Sequence, residues 1–181
     1  MKDLIKRLHK GDEEVFKELT MQIEDDLYRV AKTRLKNIDD INDAIQNTMI
    51  ITYNNIFKIK NEKHFKYYMI RVLINECNKI YNSNKKSANL YAKILTSNKY
   101  EASYYQTQDI NSNLDFEKYL DNLNYDEKIV ITLHYNSQYS CTEIAKLLNT
   151  NVNTIKSRLL RGKEKLKEFY KEVDNNEWLQ W

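Results

Sequence analysis

The sequence predicts an all-α protein: two small helical domains joined by a flexible linker. Three observations predict it. The 181 residues contain no proline and only two glycines, Gly11 and Gly162, whereas sheets joined by tight turns draw on more of both. Apolar residues recur at steps of three and four, the helical period, from Phe16 to Ile80 and again after Leu114. Between those tracts lies a polar stretch rich in Asn, Ser and Tyr that keeps no such period. The expected division is 1–82 for the first domain, 83–112 for the linker, 113–173 for the second domain and 174–181 for a tail.

Phe16, Leu19, Ile23, Leu27, Val30, Ala31 and Leu35 form the apolar stripe of a first helix. Asp12 is placed to cap it, and Glu13 and Glu14 fall in its first turn, where the helix dipole favours negative charge. Ile41, Ala44, Ile45, Thr48, Met49, Thr52 and Ile56 form a second stripe, which Asp39 or Asp40 can start. The polar interval KIKNEKH, Lys58–His64, interrupts the pattern. A third stripe runs from Phe65 through Met69, Val72, Leu73 and Cys77 to Ile80. Three such helices bury their stripes against one another as a small bundle. In the linker only Leu90, Ile94 and Leu95 lie close enough to make one weak helix. Leu114, Leu120 and Leu123 fit a short helix, and Ile129, Val130, Leu133 and His134 fit another, which Tyr125-Asp126 can start.

Composition excludes several classes. The net charge of +3, from 29 basic and 26 acidic side chains, does not by itself argue for nucleic-acid binding, so the placement of charge decides. No apolar run reaches the length of a membrane span, and MKDLIKRLHKGDEEV lacks a signal-peptide core. A cytoplasmic protein without membrane insertion is expected. Cys77 and Cys141 are far apart, and His9, His64 and His134 do not fall into metal-ligand spacing with them. There is no nucleophile–base motif, phosphate loop or carboxylate pair in helical context. The expectation is no metal, no cofactor and no enzyme activity.

The chemistry concentrates in SCTEIAKLLNTNVNTIKSRLLRGKEKL, from Ser140 to Leu166. Ser140 and Glu143 have capping-box spacing. Ile144, Leu147 and Leu148 make one apolar face, and Ala145 is small enough for a crossing helix to approach. Asn149 tolerates the left-handed conformation that closes a helix, and Asn151 is a good cap for the next one. In that next helix Val152, Ile155, Leu159 and Leu166 face inward, while Asn153, Lys156, Ser157, Leu160 and Arg161 face outward. Between Val152 and Glu168 six basic residues outnumber two acidic ones, a net +4 against +3 for the whole chain. A helix-turn-helix with Asn, Lys, Ser and Arg on the outer face of its second helix suits the major groove: short polar groups reach base edges and long cations reach phosphates.

This segment resembles the C-terminal DNA-binding region of the extracytoplasmic-function sigma factors of bacterial RNA polymerase. Glu143, Ile144, Ala145, Thr154, Lys156, Ser157, Arg158, Leu159 and Arg161 match that family's pattern, Ile155 is a conservative replacement, and Gly162 stands where Ala is usual. DINDAIQNTMIITYNNI is similar to a second family segment at Asp40, Asp43, Gln46 and Thr48. FKYYMIRVLINECNKIY matches a third at Phe65, Arg71 and Asn75. Asn42 and Asn47 replace acidic residues, Tyr68 replaces a Trp, and Lys79, Tyr81 and Asn82 depart from an Asp followed by basic residues.

The resemblance implies a sigma factor that binds core polymerase and directs promoter recognition, DNA opening and transcription initiation. Its second helix would dock on the clamp helices of the largest subunit through Asp43, Gln46, Asn47, Met49 and Ile50, with the polymerase flap a further contact. Lys58, Lys60, Asn61, Lys63 and His64 would form the loop that captures an unstacked base of the minus-ten element, with Asn75 and Lys79 on the following helix contacting the same DNA. Phe57, Phe65, Tyr67 and Tyr68 flank the loop as candidates for base stacking or for core. Asn153, Thr154, Lys156, Ser157, Arg158, Leu160 and Arg161 would read the minus-thirty-five element, Arg158 and Arg161 through phosphates. An anti-sigma factor is the implied regulator. Two other readings fit part of the pattern: a helix-turn-helix regulator acting without polymerase, and an inactive sigma-like protein that binds polymerase without opening promoters.

Overall fold

The structure, a computed structural model, describes residues 2–95 and 120–177. The chain divides into two compact units, Met1–Asp109 and Ile110–Trp181. Every regular element among the described residues is helical.

The first unit contains α1 (Lys2–His9), α2 (Glu13–Met21), α3 (Glu24–Lys32), α4 (Ile38–Asn54), a 3₁₀ turn (Ile56–Lys58) and α5 (Glu62–Leu95). Its core takes most of the expected stripe residues and adds Val15, Ile70 and Ile74, while Phe16, Ile45, Met49, Val72 and Ile80 are only half-buried. Leu27, Ile41, Phe65, Met69, Ile70 and Leu73 are fully buried, each worth about 1.5–3 kcal/mol of transfer free energy. Asp12 caps α2, accepting from the Val15 N–H at 3.3 Å.

Four features differ from expectation. First, α1 lies in a stretch read only for its missing signal core, and it buries Ile5 and Leu8. Second, the first expected helix is two: the chain breaks at Gln22–Ile23, and Glu24, Asp25 and Asp26 open α3 at its dipole-positive end. The break is invisible in the periodicity because Leu19, Ile23 and Leu27 all remain inward. Third, α4 starts earlier than Asp39 or Asp40. Asn37 is its cap, accepting from the Asp39 N–H at 2.7 Å, and both aspartates sit in the first turn. Fourth, α5 does not stop near Asn82 but continues to Leu95, through the first thirteen residues of the stretch expected as linker. The remainder of that stretch lies outside the described residues.

The second unit contains α6 (Tyr125–Ile131), a π turn (Thr132–Asn136), α7 (Cys141–Leu147) and α8 (Val152–Glu177). Asn124, rather than Tyr125-Asp126, starts α6, through a capping box with Glu127. The expected helix over Ile129–His134 widens into the π turn, and His134 Nδ1 donates to the Tyr139 carbonyl at 2.9 Å. Ser140 and Glu143 form the capping box of α7, Asn149 is left-handed at φ 49°, and Asn151 accepts from the Asn153 N–H at 2.8 Å. The expected tail overlaps the end of α8, which reaches Glu177. Leu114 and the tail residues Trp178, Leu179 and Trp181 lie outside the described residues.

Candidate nucleic-acid and polymerase interfaces

Helix α8 presents two faces. Ile155 is fully buried and Val152 and Leu159 are half-buried, whereas Asn153, Lys156, Ser157, Leu160 and Arg161 are exposed along the opposite side. Leu160 at 58% exposure is an apolar group held in water among polar neighbours. The Ser157 hydroxyl donates back to the Asn153 carbonyl at 2.9 Å, so toward a base edge Ser157 acts as an acceptor. Thr154 is half-buried.

Arg158 is engaged within the second unit. It is half-buried, and its Nη2 donates to Asp126 Oδ2 of α6 at 2.7 Å. One turn further, Gly162 is buried: a Cβ there would lie 3.0 Å from Ile131 Cγ1. Lys165 then pairs with Glu127 at 2.7 Å. Three successive turns of the reading helix are therefore clipped to α6. Ile131 occupies the space that an Ala side chain at position 162 would enter. Nothing in the local sequence pointed to Asp126 or Glu127, which lie 32 and 38 residues from their partners.

In the first unit, Asp43, Gln46, Asn47 and Ile50 are exposed on α4, opposite the buried Ile41, Ala44, Thr48 and Thr52. Met49 is half-buried beside them, and with Gln46 it lines a groove that Glu24, Asp25 and Tyr28 of α3 close. The two α3 acids add negative charge that reading α4 alone did not reveal.

The Lys58–His64 interval is an ordered loop. Ile59 is fully buried and anchors it. Lys58 Nζ donates to Asn55 Oδ1 at 2.7 Å, and His64 Nδ1 accepts from the Lys60 N–H at 3.1 Å. Asn61 Oδ1 caps α5, accepting from the His64 N–H at 2.8 Å, so two of the loop's expected contact residues also fix its backbone. From fifty residues away, His9 Nε2 donates to the Ile59 carbonyl at 2.7 Å, a restraint with no sequence signal. Lys60, Asn61 and Lys63 are exposed and His64 is half-buried. Of the aromatic candidates Phe57 is 67% exposed, Phe65 is core and edge-on to Phe16, and Tyr67 and Tyr68 are half-buried. Asn75 and Lys79 are exposed and line a shallow groove with Ile51, Val72 and Asn82. Lys79 also pairs with Glu76 at 2.6 Å. The structure does not gather these residues at one point. From Glu62 to Asn75 is about 20 Å along the helix axis, or roughly six base steps of DNA at 3.4 Å each.

A small bundle with an ordered basic loop, and a second unit with an exposed polar reading helix, are the two modules of a sigma factor. Family models agree: "Sigma-70 region 2" matches residues 19–87 and "Sigma-70, region 4" matches residues 113–166. The chain is 26% identical over 137 residues to RNA polymerase sigma factor SigV of Bacillus subtilis, covering 76% of this chain and 80% of that protein. It is 26% identical over 180 residues to ECF RNA polymerase sigma factor SigW of the same organism, covering 93% and 95%. The chain belongs to the extracytoplasmic-function sigma factors, which direct transcription initiation. Solved structures share the fold. CnrH, determined with the cytosolic domain of CnrY, superposes with a TM-score of 0.62 at 17% identity, covering 93% of this chain and 96% of that one. The sigma factor RpoE of Bartonella quintana, determined with the anti-sigma factor NepR, gives 0.64 at 23% identity, covering 86% and 96%. No described helix is long and apolar enough to cross a membrane.

Proposed function

We propose that this sigma factor divides its work by residue as follows. Residues 1–82 supply polymerase docking and minus-ten capture, and residues 113–173 read the minus-thirty-five element. On α4, Asp43, Gln46, Asn47, Met49 and Ile50, joined by Glu24 and Asp25, dock on the clamp helices of the polymerase core. The exposed Lys60, Asn61 and Lys63, with Lys58 and His64 shaping the loop, receive an unstacked base, and Phe57 stacks on its neighbour. Asn75 and Lys79 hold the adjoining DNA. No covalent step is needed of the sigma factor. Binding of the flipped base offsets the few kcal/mol of unstacking, and the polymerase supplies the reaction. The protein works in the cytoplasm, and an anti-sigma factor, of the kind seen with the solved RpoE, restrains it.

The observation that carries this reading is the outer row of α8. Asn153, Lys156 and Ser157 reach base edges, Leu160 meets a thymine methyl, and Arg161 meets phosphate, while Ile155 fixes the opposite face in the core. Lys156→Ala tests it in a quantitative gel shift with holoenzyme. The expected loss is roughly 1–3 kcal/mol, concentrated at one or two base positions. Unchanged affinity and unchanged sequence preference would remove Lys156 from the reading set. Promoter-specific transcripts from core polymerase plus the purified chain test the wider reading; no association with core would reject it.

A further inference from the structure

The half of α5 beyond the bundle has no assigned role. From Tyr81 to Leu95 the sequence holds three lysines, Lys85, Lys86 and Lys93, and no acidic residue. That is +3 on one helix segment, as much as the net charge of the whole chain. The segment is continuous helix, and every residue from Tyr81 to Leu90 is exposed. Its polar character hides this pattern in the sequence, where it reads as connector.

Two contacts aim it. The Arg34 guanidinium lies 3.7 Å over the Tyr81 ring, and the Asn84 amide donates to Asp40 Oδ2 at 2.8 Å. These hold the start of the extension to the turn after α3 and to α4. Along its axis, Asn75, Lys79, Asn82 and Lys86 follow at steps of four, three and four, which keeps them in one row on a helix. All four are exposed. The row that begins with the proposed DNA contacts therefore continues past the bundle without a break in direction or sign. From Lys79 to Leu90 adds about 16 Å, or roughly five base steps.

We infer that the extension of α5 is a third DNA contact of this sigma factor. It lies along the duplex that separates the two promoter elements and holds its phosphates through Lys85 and Lys86. Asn82 and Asn89 supply neutral donors on the same side. The contact is electrostatic and independent of base sequence, so it adds affinity and sets the path of the duplex without altering which promoter is chosen. The inference rests on the placement of Asn75 and Lys79 at the minus-ten DNA.

The test uses holoenzyme formed with the full chain carrying Lys85→Gln and Lys86→Gln, both at exposed positions outside the core. Binding is measured against salt on two promoter fragments, one with the intervening duplex and one cut back to the minus-ten element. The slope of log affinity against log salt should fall by about 2 on the long fragment, since each phosphate contact contributes about 0.9, and should not change on the short one. Arginine at both positions should restore it. An unchanged slope on the long fragment overturns the inference, as does a loss confined to core association, which would assign the lysines to an acidic polymerase surface. Asn75→Ala with Lys79→Ala separates the two levels. If that pair weakens both fragments while the Gln pair is silent, only the extension fails. If that pair is silent on the short fragment, the minus-ten placement itself is wrong and the inference falls with it.

Discussion

Glu127→Gln tests the clip that holds the reading helix. The Glu127 side chain is 3% exposed, yet its carboxyl is held below the usual range: burial acts to raise the pKa, and the Lys165 ammonium and the Asn124 backbone N–H outweigh it. Lys165 Nζ lies 2.7 and 3.0 Å from the two oxygens. Glutamine keeps the shape and an acceptor for the Asn124 N–H but loses the charge. A buried hydrogen bond to a charged group is worth about 1.5–3 kcal/mol, and an exposed ion pair about 0.2–1 kcal/mol. Lys165 is 45% exposed, so the loss falls between, at about 1–2 kcal/mol. Native-state amide exchange at Val130 and Ile155 in the full chain should then be about tenfold faster at pH 7. The pH dependence fixes the sign. The folded pKa is depressed from its ordinary 4.5. The stabilisation is therefore complete above that value and is lost as pH falls through the lower folded pKa. In urea titrations the native and Gln proteins should converge as the solution is acidified through the depressed folded pKa. Equal exchange at pH 7, or a gap that persists in acid, would refute the ion-pair account.

Gly162→Ala pits helix propensity, about 1 kcal/mol in favour of Ala, against contacts of 3.0 and 3.2 Å with the buried Ile131, where overpacking costs about 1–3 kcal/mol. Urea unfolding should show a net loss of about 1 kcal/mol, and a stabilised variant would mean that Ile131 has room to yield. His9→Ala removes the donor to Ile59. Amide exchange at Lys60 and His64 should quicken, with promoter opening slowed several-fold and core binding unchanged; unaltered exchange would show that the loop needs no such restraint. Burial pushes the Cys77 thiol up to about 12, so at pH 8 its reactive thiolate is scarce. Iodoacetamide should modify the half-exposed Cys141 first in the folded chain, and equal rates at the two sites would contradict the burial of Cys77.

What the sequence made legible was what a single helix can encode. The α7 capping box, the left-handed Asn149 and the two faces of α8 each need only a few neighbouring residues, and each is present. Missed features fall into two kinds. Some depend on partners distant in sequence: His9 on Ile59, Asp126 on Arg158, Ile131 filling the space beside Gly162. Others come from equating polarity with irregular backbone. Residues 83–90 are exposed but remain helical, because the helix is already nucleated within the bundle and each added residue needs only to propagate it. The split between α2 and α3 fails for a related reason, since a helix break that keeps the apolar phase leaves the period intact.

The ion pairs also bear on how the protein must bind. Six cations lie between Val152 and Glu168, but Arg158 and Lys165 are spent on Asp126 and Glu127. Lys156, Arg161, Lys163 and Lys167 remain, and Lys163 leans over the Tyr135 ring at 5.3 Å. Fewer phosphate contacts mean a shallower salt dependence and weaker binding for the second unit by itself. A recognition helix fixed in place but short of free charge gains sequence discrimination at the cost of affinity, and that suits a reader carried on a chain whose other unit, as proposed above, engages DNA and polymerase. Linkage then supplies through effective concentration what the isolated helix lacks. On this account adding cations to the outer face of α8 should tighten DNA binding by the free protein while narrowing the affinity gap between promoter and non-promoter sequences. Tighter binding with that gap undiminished would show instead that charge and specificity are independent here.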